Sequence, residues 1–190
     1  MAAAAAAAGN TMGYTRAARV LHWTMAILIV LAYVLILSRK EIPRGTPLRT
    51  FVVQAHFWVG IVIFLLAFPR LVERLRHRPP PIAPPLDRFS WALATLTHLA
   101  LYLFLFVQPM LGVATLAFDD ASIPVPLTDL KLPLPVEPNE QTAEQLENLH
   151  KTLGAVFYWI IGLHVLAALF HRVVRRDNVL QRMWRGTTAR

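Results

Sequence analysis

The sequence predicts an all-α membrane protein, an antiparallel four-helix transmembrane bundle with both termini in the cytoplasm. Of its 190 residues, 56% are hydrophobic, which is too apolar for an ordinary soluble domain of this size. The apolar residues form four long runs, each able to cross a hydrocarbon layer about 30 Å thick as a helix. Lys and Arg cluster at the ends of these runs, as is typical of membrane proteins.

The predicted spans follow an alanine-rich segment. Residues 1–13 lack the basic start and apolar core of a signal peptide, and we expect them to form a disordered tail. The transmembrane domain is predicted over residues 14–184, with a second tail at 185–190. Its four spans are expected at about 17–37, 51–72, 91–117 and 149–173.

The three connections between these spans differ in composition. The first, SRKEIPRGTPLR, is polar and basic, and the second contains PPPIAPP, which cannot be helical. Pro109 is expected to kink the third span, as membrane helices tolerate. The third connection has about thirty residues rich in proline and acidic side chains, which favours an irregular cap over the bundle mouth. Its last part, TAEQLEN, is expected to begin the fourth helix.

Basic residues are distributed unequally between the two ends of the predicted bundle. The two termini and the second connection contain 13 Lys and Arg against 3 Asp and Glu, whereas the first and third connections contain 6 against 8. Because basic residues favour the cytoplasmic side, this difference predicts cytoplasmic termini. The net charge of +8 therefore indicates contact with membrane lipid, and nucleic acid is not an expected partner.

Four histidines lie at two depths of the predicted bundle. His150 and His164 are 14 residues apart in the fourth span, on nearly the same face and ~21 Å apart along the axis. His22 shares the inner depth of His164, and His56 shares the outer depth of His150. Imidazole is a usual ligand of haem iron, and an ionisable residue inside a span indicates function. The pattern predicts two haem groups, each with a pair of histidines as axial iron ligands.

Cysteine is absent, which excludes covalent haem attachment through cysteine, disulfides and iron–sulfur clusters. Any haem must therefore be held by histidine and by packing. An iron with two histidine ligands has no open position, so electrons are expected to enter and leave at the porphyrin edge.

A small residue follows each of these histidines by four positions. These residues are Ala26, Gly60, Gly154 and Ala168. A porphyrin against a helix needs a small residue one turn from its ligand, so we expect all four to pack against haem. The fifth candidate, His98, has the large residue Tyr102 at this position. Two roles remain open for His98: it could line a quinone pocket near the inner haem, or it could form a hydrogen bond between helices. His77 and His171 are expected to be solvated or interfacial.

The segments around these histidines resemble the bacterial cytochrome b561 family. The resemblance covers about residues 13–184. It rests on YTRAARVLHW, VVQAHFWVG, LTHLALYLFLFVQPMLG, ENLHKTLG and IIGLHVLAALFHRVVRRDNVLQRMW. It implies a multi-pass protein of the bacterial inner membrane with two non-covalent b haems. In that family the haem-iron ligands fall on the motif positions occupied here by His22, His56, His150 and His164. The resemblance also implies electron exchange with a quinone.

Small stand-alone members of that family look like superoxide oxidases that pass electrons to ubiquinone. We therefore expect an oxidoreductase that oxidises superoxide to O2 at the outer haem and reduces ubiquinone. The alternative is a non-catalytic electron conduit between a protein donor, periplasmic or part of a dehydrogenase, and the quinone pool. The acidic third connection would suit the docking of a basic donor.

Five basic residues are candidates for attracting superoxide to the outer haem. They are Arg39, Lys40, Arg44, Arg49 and Lys151. A cluster of positive charge around an entry mouth raises the capture rate of an anion. The alternative is that these side chains are ordinary interfacial anchors.

Overall fold

Four long helices make up most of the protein, in a computed structural model that describes residues 13–120 and 122–184. The helices are α1 (Arg16–Ser38), α2 (Pro47–Arg76), α3 (Arg88–Asp120) and α4 (Glu140–Phe170). A π-helical turn, His171–Arg175, follows α4 and leads to the short helix α5 (Val179–Trp184). Apart from Gly13, the two predicted tails lie outside the described residues.

Each of the four long helices is long and apolar enough to cross a membrane. Their outward faces expose large apolar side chains, such as Val30, Leu65 and Trp159, which water would not tolerate in such number but lipid covers. The interior contains a small cluster of buried apolar side chains formed by Met25, Ile63, Ala67 and Leu105. The prediction of a helical membrane protein with four spans is therefore confirmed.

Side-chain caps fix where the long helices begin. The Thr46 hydroxyl accepts a hydrogen bond from the Arg49 amide (3.3 Å) at the start of α2, and the Asn139 side chain accepts one from Thr142 (2.9 Å) at the start of α4. Near the start of α3, the hydroxyl and amide of Ser90 donate to Asp87, and these bonds lower the pKa of the Asp87 carboxyl. The caps lie outside the apolar runs, so the helices extend beyond the predicted spans.

The helices pack unevenly against one another. Helix α1 packs along α2, α3 packs along α4, and α2 joins these two pairs through α3. In contrast, α4 makes little close backbone contact with either α1 or α2. Tyr33 of α1 bridges the first of these gaps by donating a hydrogen bond to the Gly154 carbonyl of α4 (2.7 Å).

The third connection contains a short antiparallel hairpin. Its strands are β1 (Ser122–Pro124) and β2 (Lys131–Pro133), with Ile123 opposite Leu132. Trp58 of α2 donates its indole N–H to the Pro124 carbonyl (2.9 Å) and so fastens the hairpin to the bundle. An irregular cap was expected here; residues 122–124 and 131–133 pair as extended backbone, and the rest of the described connection, 125–130 and 134–139, is irregular. The TAEQLEN segment is part of α4, and α2 and α3 continue as helices through Pro69 and Pro109.

Candidate functional site

The two predicted outer ligands face each other across the gap between α2 and α4. The ring centroids of His56 and His150 are 6.2 Å apart, and the ring planes are nearly perpendicular at 89°. Nδ1 of His56 lies 2.9 Å from the carbonyl oxygen of Ala32, and Nδ1 of His150 lies 3.0 Å from the carbonyl oxygen of Gln108. A carbonyl can only accept, so each Nδ1 carries the proton. Each Nε2 is then left as a metal donor, the arrangement usual for metal-binding histidines.

Glycines surround the outer pair. A Cβ atom at Gly112 of α3 would lie 3.3 Å from Cε1 of His150, so only glycine lets that ring come so close to α3. A Cβ atom at Gly154 would lie 3.2 Å from Nε2 of Gln108, whose amide also donates to the His150 carbonyl (2.9 Å). A Cβ atom at Gly60, in contrast, would meet open space. Space beside Gly60 fits the prediction that a flat group packs there, whereas Gly112 was not predicted.

The inner end of the bundle brings together three histidines. The rings of His98 and His164 are 5.5 Å apart between centroids. The ring of His22 instead meets that of Trp23, with centroids 5.2 Å apart. Nδ1 of His22 accepts a hydrogen bond from the Arg70 guanidinium (2.9 Å). The structure thus places His98, the residue left open in the sequence, directly against His164.

Helix packing distinguishes the two possible partners of His164. His98 is on α3, which packs closely along α4, whereas His22 is on α1, which leaves a gap to α4. His98 is also tied to its own helix, because its Nδ1 donates to the Ala94 carbonyl (2.6 Å). A flat cofactor held by two histidines would need the gap, which favours His22 as the partner. His22 would then have to turn from Arg70, since iron binding through Nε2 requires the proton on Nδ1.

Arg70 is a cation inside α2 with an unusual set of neighbours. Its guanidinium contacts His22 and lies 5.8 Å from the centroid of the Tyr102 ring. In the described part of the chain, no carboxylate lies within ion-pair distance of it. An unpaired charge inside a span is costly and indicates a functional role. Haem carries two propionate carboxylates, so the chemistry of this end fits an anionic cofactor.

The donor set also bears on the kind of metal site. Among residues 13–120 and 122–184, no group of three or more His, Asp or Glu side chains could hold a free metal ion. Pairs of histidines across helix gaps suit a metal that brings its own macrocycle. The histidine pairs, the space beside Gly60 and the cation at Arg70 are together compatible with non-covalent haem.

His171 has a partner that the sequence did not reveal. Its Nδ1 donates to Oδ2 of Asp177 (2.5 Å), a residue that is only 2% exposed, and Nε of Arg175 lies 3.6 Å from the same oxygen. The contact forms because the π-helical turn and Arg176, with a positive φ of 53°, reverse the chain. Neither feature has a hydropathy signal. His171 follows His164 by two helical turns, so the two lie on one face.

Four of the five candidate steering residues line one surface cavity of about 470 Å³. They are Arg39, Lys40, Arg44 and Arg49. Arg49 donates two hydrogen bonds, to the carbonyls of Arg39 (2.6 Å) and Ile42 (2.7 Å), and thereby holds the connection in shape. Lys151 does not line the cavity and pairs with Glu147 (2.8 Å).

Four apolar helices with paired histidines define a membrane protein of the haem-binding, electron-transferring class. The family model for prokaryotic cytochrome b561 matches residues 13–186. Cytochrome b561 homolog 1 of Escherichia coli (strain K12) is 30% identical over 163 residues, which cover 86% of this chain and 92% of that protein. The probable superoxide oxidase CybB of Yersinia pestis is 33% identical over 163 residues, covering 86% and 90%.

The chain therefore belongs to the prokaryotic cytochrome b561 family, and the resemblance seen in the sequence is confirmed. It is a multi-pass protein of the bacterial inner membrane. Members of this family are membrane electron-transfer proteins that bind b-type haem.

Proposed function

We propose that this protein binds two non-covalent b haems, oxidises superoxide at the outer end of the bundle and reduces ubiquinone. The observation that carries the proposal is the facing pair of His56 and His150, each with Nδ1 bonded to a carbonyl and Nε2 left as a donor. The name of the Yersinia pestis relative, a probable superoxide oxidase, supports the choice of substrate.

The bound haems supply one-electron chemistry. His56 and His150 would hold the outer haem, and His22 and His164 the inner one. The carbonyls of Ala32 and Gln108 keep the outer rings in the tautomer and orientation that ligation needs. One turn beyond each ligand, Gly60 and Gly154 at the outer site and Ala26 and Ala168 at the inner site would leave room for a flat group against the helices.

Arg70 would neutralise negative charge at the inner site. A propionate carboxylate is the anion that its position beside His22 suits best. The ion pair would also draw the guanidinium away from Nδ1 of His22, which frees that nitrogen to carry its proton.

We further propose an antiparallel bundle with both termini in the cytoplasm. Thr15, just before α1, donates to Glu73 in the last turns of α2, and the Tyr14 amide donates to the Arg182 carbonyl of α5 (3.0 Å). These contacts, together with the excess of basic residues at that end, support a cytoplasmic position for His22 and His164. A reporter fused at the hairpin should then be active only outside the cytoplasm, and one at the C-terminus only inside.

The proposed reaction is balanced in electrons and protons. Two superoxide ions each lose one electron and become O2, while one ubiquinone gains two electrons and two protons and becomes ubiquinol. Positive charge at Arg39, Lys40 and Arg44 would attract superoxide, with Arg49 shaping the connection. His98, beside His164, is our candidate for the quinone site.

A second function has its own support. Acidic side chains are exposed at Asp129 and Glu137 on the connection between α3 and α4, and at Glu144 near the start of α4. A basic periplasmic protein or a dehydrogenase subunit could dock there and donate electrons for the quinone pool. The protein would then be a conduit and not a self-sufficient enzyme.

One experiment separates these two functions. The purified, haem-loaded protein is mixed anaerobically with a superoxide source, with and without a soluble ubiquinone analogue, and the haem absorption bands are followed. We expect rapid reduction by superoxide and reoxidation when the quinone is present. The contrary result is that superoxide leaves the haem oxidised although quinol or a strong chemical reductant reduces it. This result would contradict the oxidase proposal and favour the conduit.

A further inference from the structure

A second cavity, of about 400 Å³, lies between α1 and the C-terminal helix α5, and we name it the α1–α5 groove. Two hydrogen bonds hold its walls together. Trp23 donates its indole N–H to the Met183 carbonyl (3.2 Å), and Arg19 donates to the Trp184 carbonyl (3.2 Å). The rings of Trp23 and Trp184 also meet edge to face, with centroids 5.3 Å apart.

The polar end of the groove is positively charged. Arg16 and Arg19 line it, and none of the described residues that line it is acidic. Arg16 is exposed, and Nε of Arg19 is buried with no hydrogen-bond partner among residues 13–120 and 122–184, although another nitrogen of the same guanidinium donates to the Trp184 carbonyl. A buried, unpaired guanidinium N–H is costly, which points to an acceptor that belongs in the groove.

The other end of the groove is apolar and opens toward lipid. Val20, Ile27 and Trp184 line it and are 55%, 67% and 68% exposed. Ile27 follows Arg16 by 11 residues, so the groove runs about 16 Å along α1 toward the middle of the membrane. Arg16 is the first residue of the span, which places the cations at the depth of lipid headgroups.

We propose that the α1–α5 groove binds one anionic phospholipid of the leaflet in which α1 begins. Its phosphate is held by Arg16 and Arg19, and one acyl chain lies along Val20 and Ile27. A charged headgroup joined to a long apolar chain matches both ends of the groove. Inorganic phosphate matches only the charged end, and the uncharged head of a quinone makes no use of two cations.

This assignment predicts a selective lipid. The full-length, haem-loaded protein is equilibrated in bilayer discs of phosphatidylcholine with a minor fraction of phosphatidylglycerol, and the lipids it retains are counted by native mass spectrometry. We expect one retained phosphatidylglycerol. The double variant Arg16→Gln/Arg19→Gln should lose the preference for it by about tenfold or more, because each cation near the surface contributes to the attraction.

A matched control separates the groove from general charge. Arg172→Gln/Arg176→Gln removes the same charge from exposed positions after α4 and should retain the lipid. Arg16→Lys/Arg19→Lys should also retain it, and an unchanged haem spectrum checks the fold of each variant. The proposal would be overturned if both Gln variants lost phosphatidylglycerol equally, or if the wild-type protein retained phosphatidylcholine as well as phosphatidylglycerol. Displacement of the bound lipid by excess ubiquinone would also overturn it.

Discussion

Single hydrogen bonds decide how the candidate ligands are presented. The bonds from His56 to Ala32 and from His150 to Gln108 fix two imidazoles with the same nitrogen free, although the two rings belong to different helices. The bond from Arg70 to His22 does the opposite, because it occupies Nδ1 of His22 as an acceptor. The outer site is therefore organised by the protein alone, whereas the inner site needs a rearrangement.

Gly112 gives the most local test of the outer site. Gly112→Ala puts a methyl group 3.3 Å from Cε1 of His150, so the ring must shift by a few tenths of an ångström. We expect the affinity of the outer haem to fall by about tenfold, as is usual when support of a ligand is disturbed. Gly162→Ala is the matched control, because its added carbon meets open space. Equal haem affinity in the two variants, measured by haem titration, would contradict the role of Gly112.

Arg70 is expected to control the potential of the inner haem. Removing a positive charge stabilises the more positively charged, oxidised iron, so Arg70→Gln should make one midpoint potential more negative. Arg70→Lys should restore most of the shift, and Arg76→Gln, an exposed change in the same helix, should leave both potentials in place. Potentiometric titration of the absorption bands measures this. A shift of equal size in Arg76→Gln would show that Arg70 acts only through net charge.

The sequence could predict some of these residues but not others. The depth of a side chain in a span follows from its position number, and this was enough to bring His56 and His150 together. Gly112 and Arg70 act through contacts with other helices, which leave no periodic signal. The role of His98 was left open for the same reason, because depth does not specify which of two helices packs closely on α4 and so brings its histidine against His164.

The ends of the helices differ most from what hydropathy predicts. The fourth span was expected from about residue 149, with TAEQLEN at the start of its helix, and α4 begins slightly earlier, at Glu140, where Asn139 caps it. Hydropathy predicts the part of a helix that contacts lipid, whereas hydrogen bonds at the caps determine where the helix itself begins and ends. The other end of α4 changes into a π-helical turn, which lets the chain fold back and dock α5.

Asp177 fastens that C-terminal reversal. It accepts hydrogen bonds from His171 and from the Val179 amide (3.1 Å) while almost fully buried. Asp177→Ala leaves these donors without an acceptor, and we expect a loss of about 1–3 kcal/mol in the free energy of unfolding. The exposed change Asp129→Ala should have little effect. Thermal unfolding in detergent, followed by circular dichroism, compares them, and equal melting temperatures would contradict a stabilising role for Asp177.

The charge distribution of the whole molecule bears on how superoxide arrives. Exposed charges act over about 8 Å at physiological salt, so steering should weaken as salt rises. Arg44→Glu is the cleanest probe, since Arg44 is exposed whereas Arg49 bonds to carbonyls and Lys151 pairs with Glu147. At low salt, we expect superoxide to reduce the haem of the Arg44→Glu variant more slowly than that of the wild-type protein, with no loss of haem.

Arg78→Glu, an exposed charge reversal in the connection between α2 and α3, is the control and should keep the wild-type rate. Rates that respond to neither salt nor Arg44→Glu would leave these residues as interfacial anchors and favour a protein donor.

The bundle as a whole has two gaps along α4, one facing α1 and one facing α2, and each is bordered by a predicted pair of ligands. This arrangement explains why one helix carries both His150 and His164. His98 lies instead where α3 and α4 pack closely, and on our proposal it is not a haem ligand.

The haem content of histidine variants tests this arrangement most directly. Protein purified from membranes should contain two extractable b haems per chain. His56→Ala or His150→Ala should remove only the outer one, and His22→Ala or His164→Ala only the inner one, each leaving a single redox transition. His98→Ala should keep both. If His98→Ala abolished a haem while His22→Ala retained two, the inner ligand pair would be His98 and His164, and the assignment of the gap between α1 and α4 would be wrong.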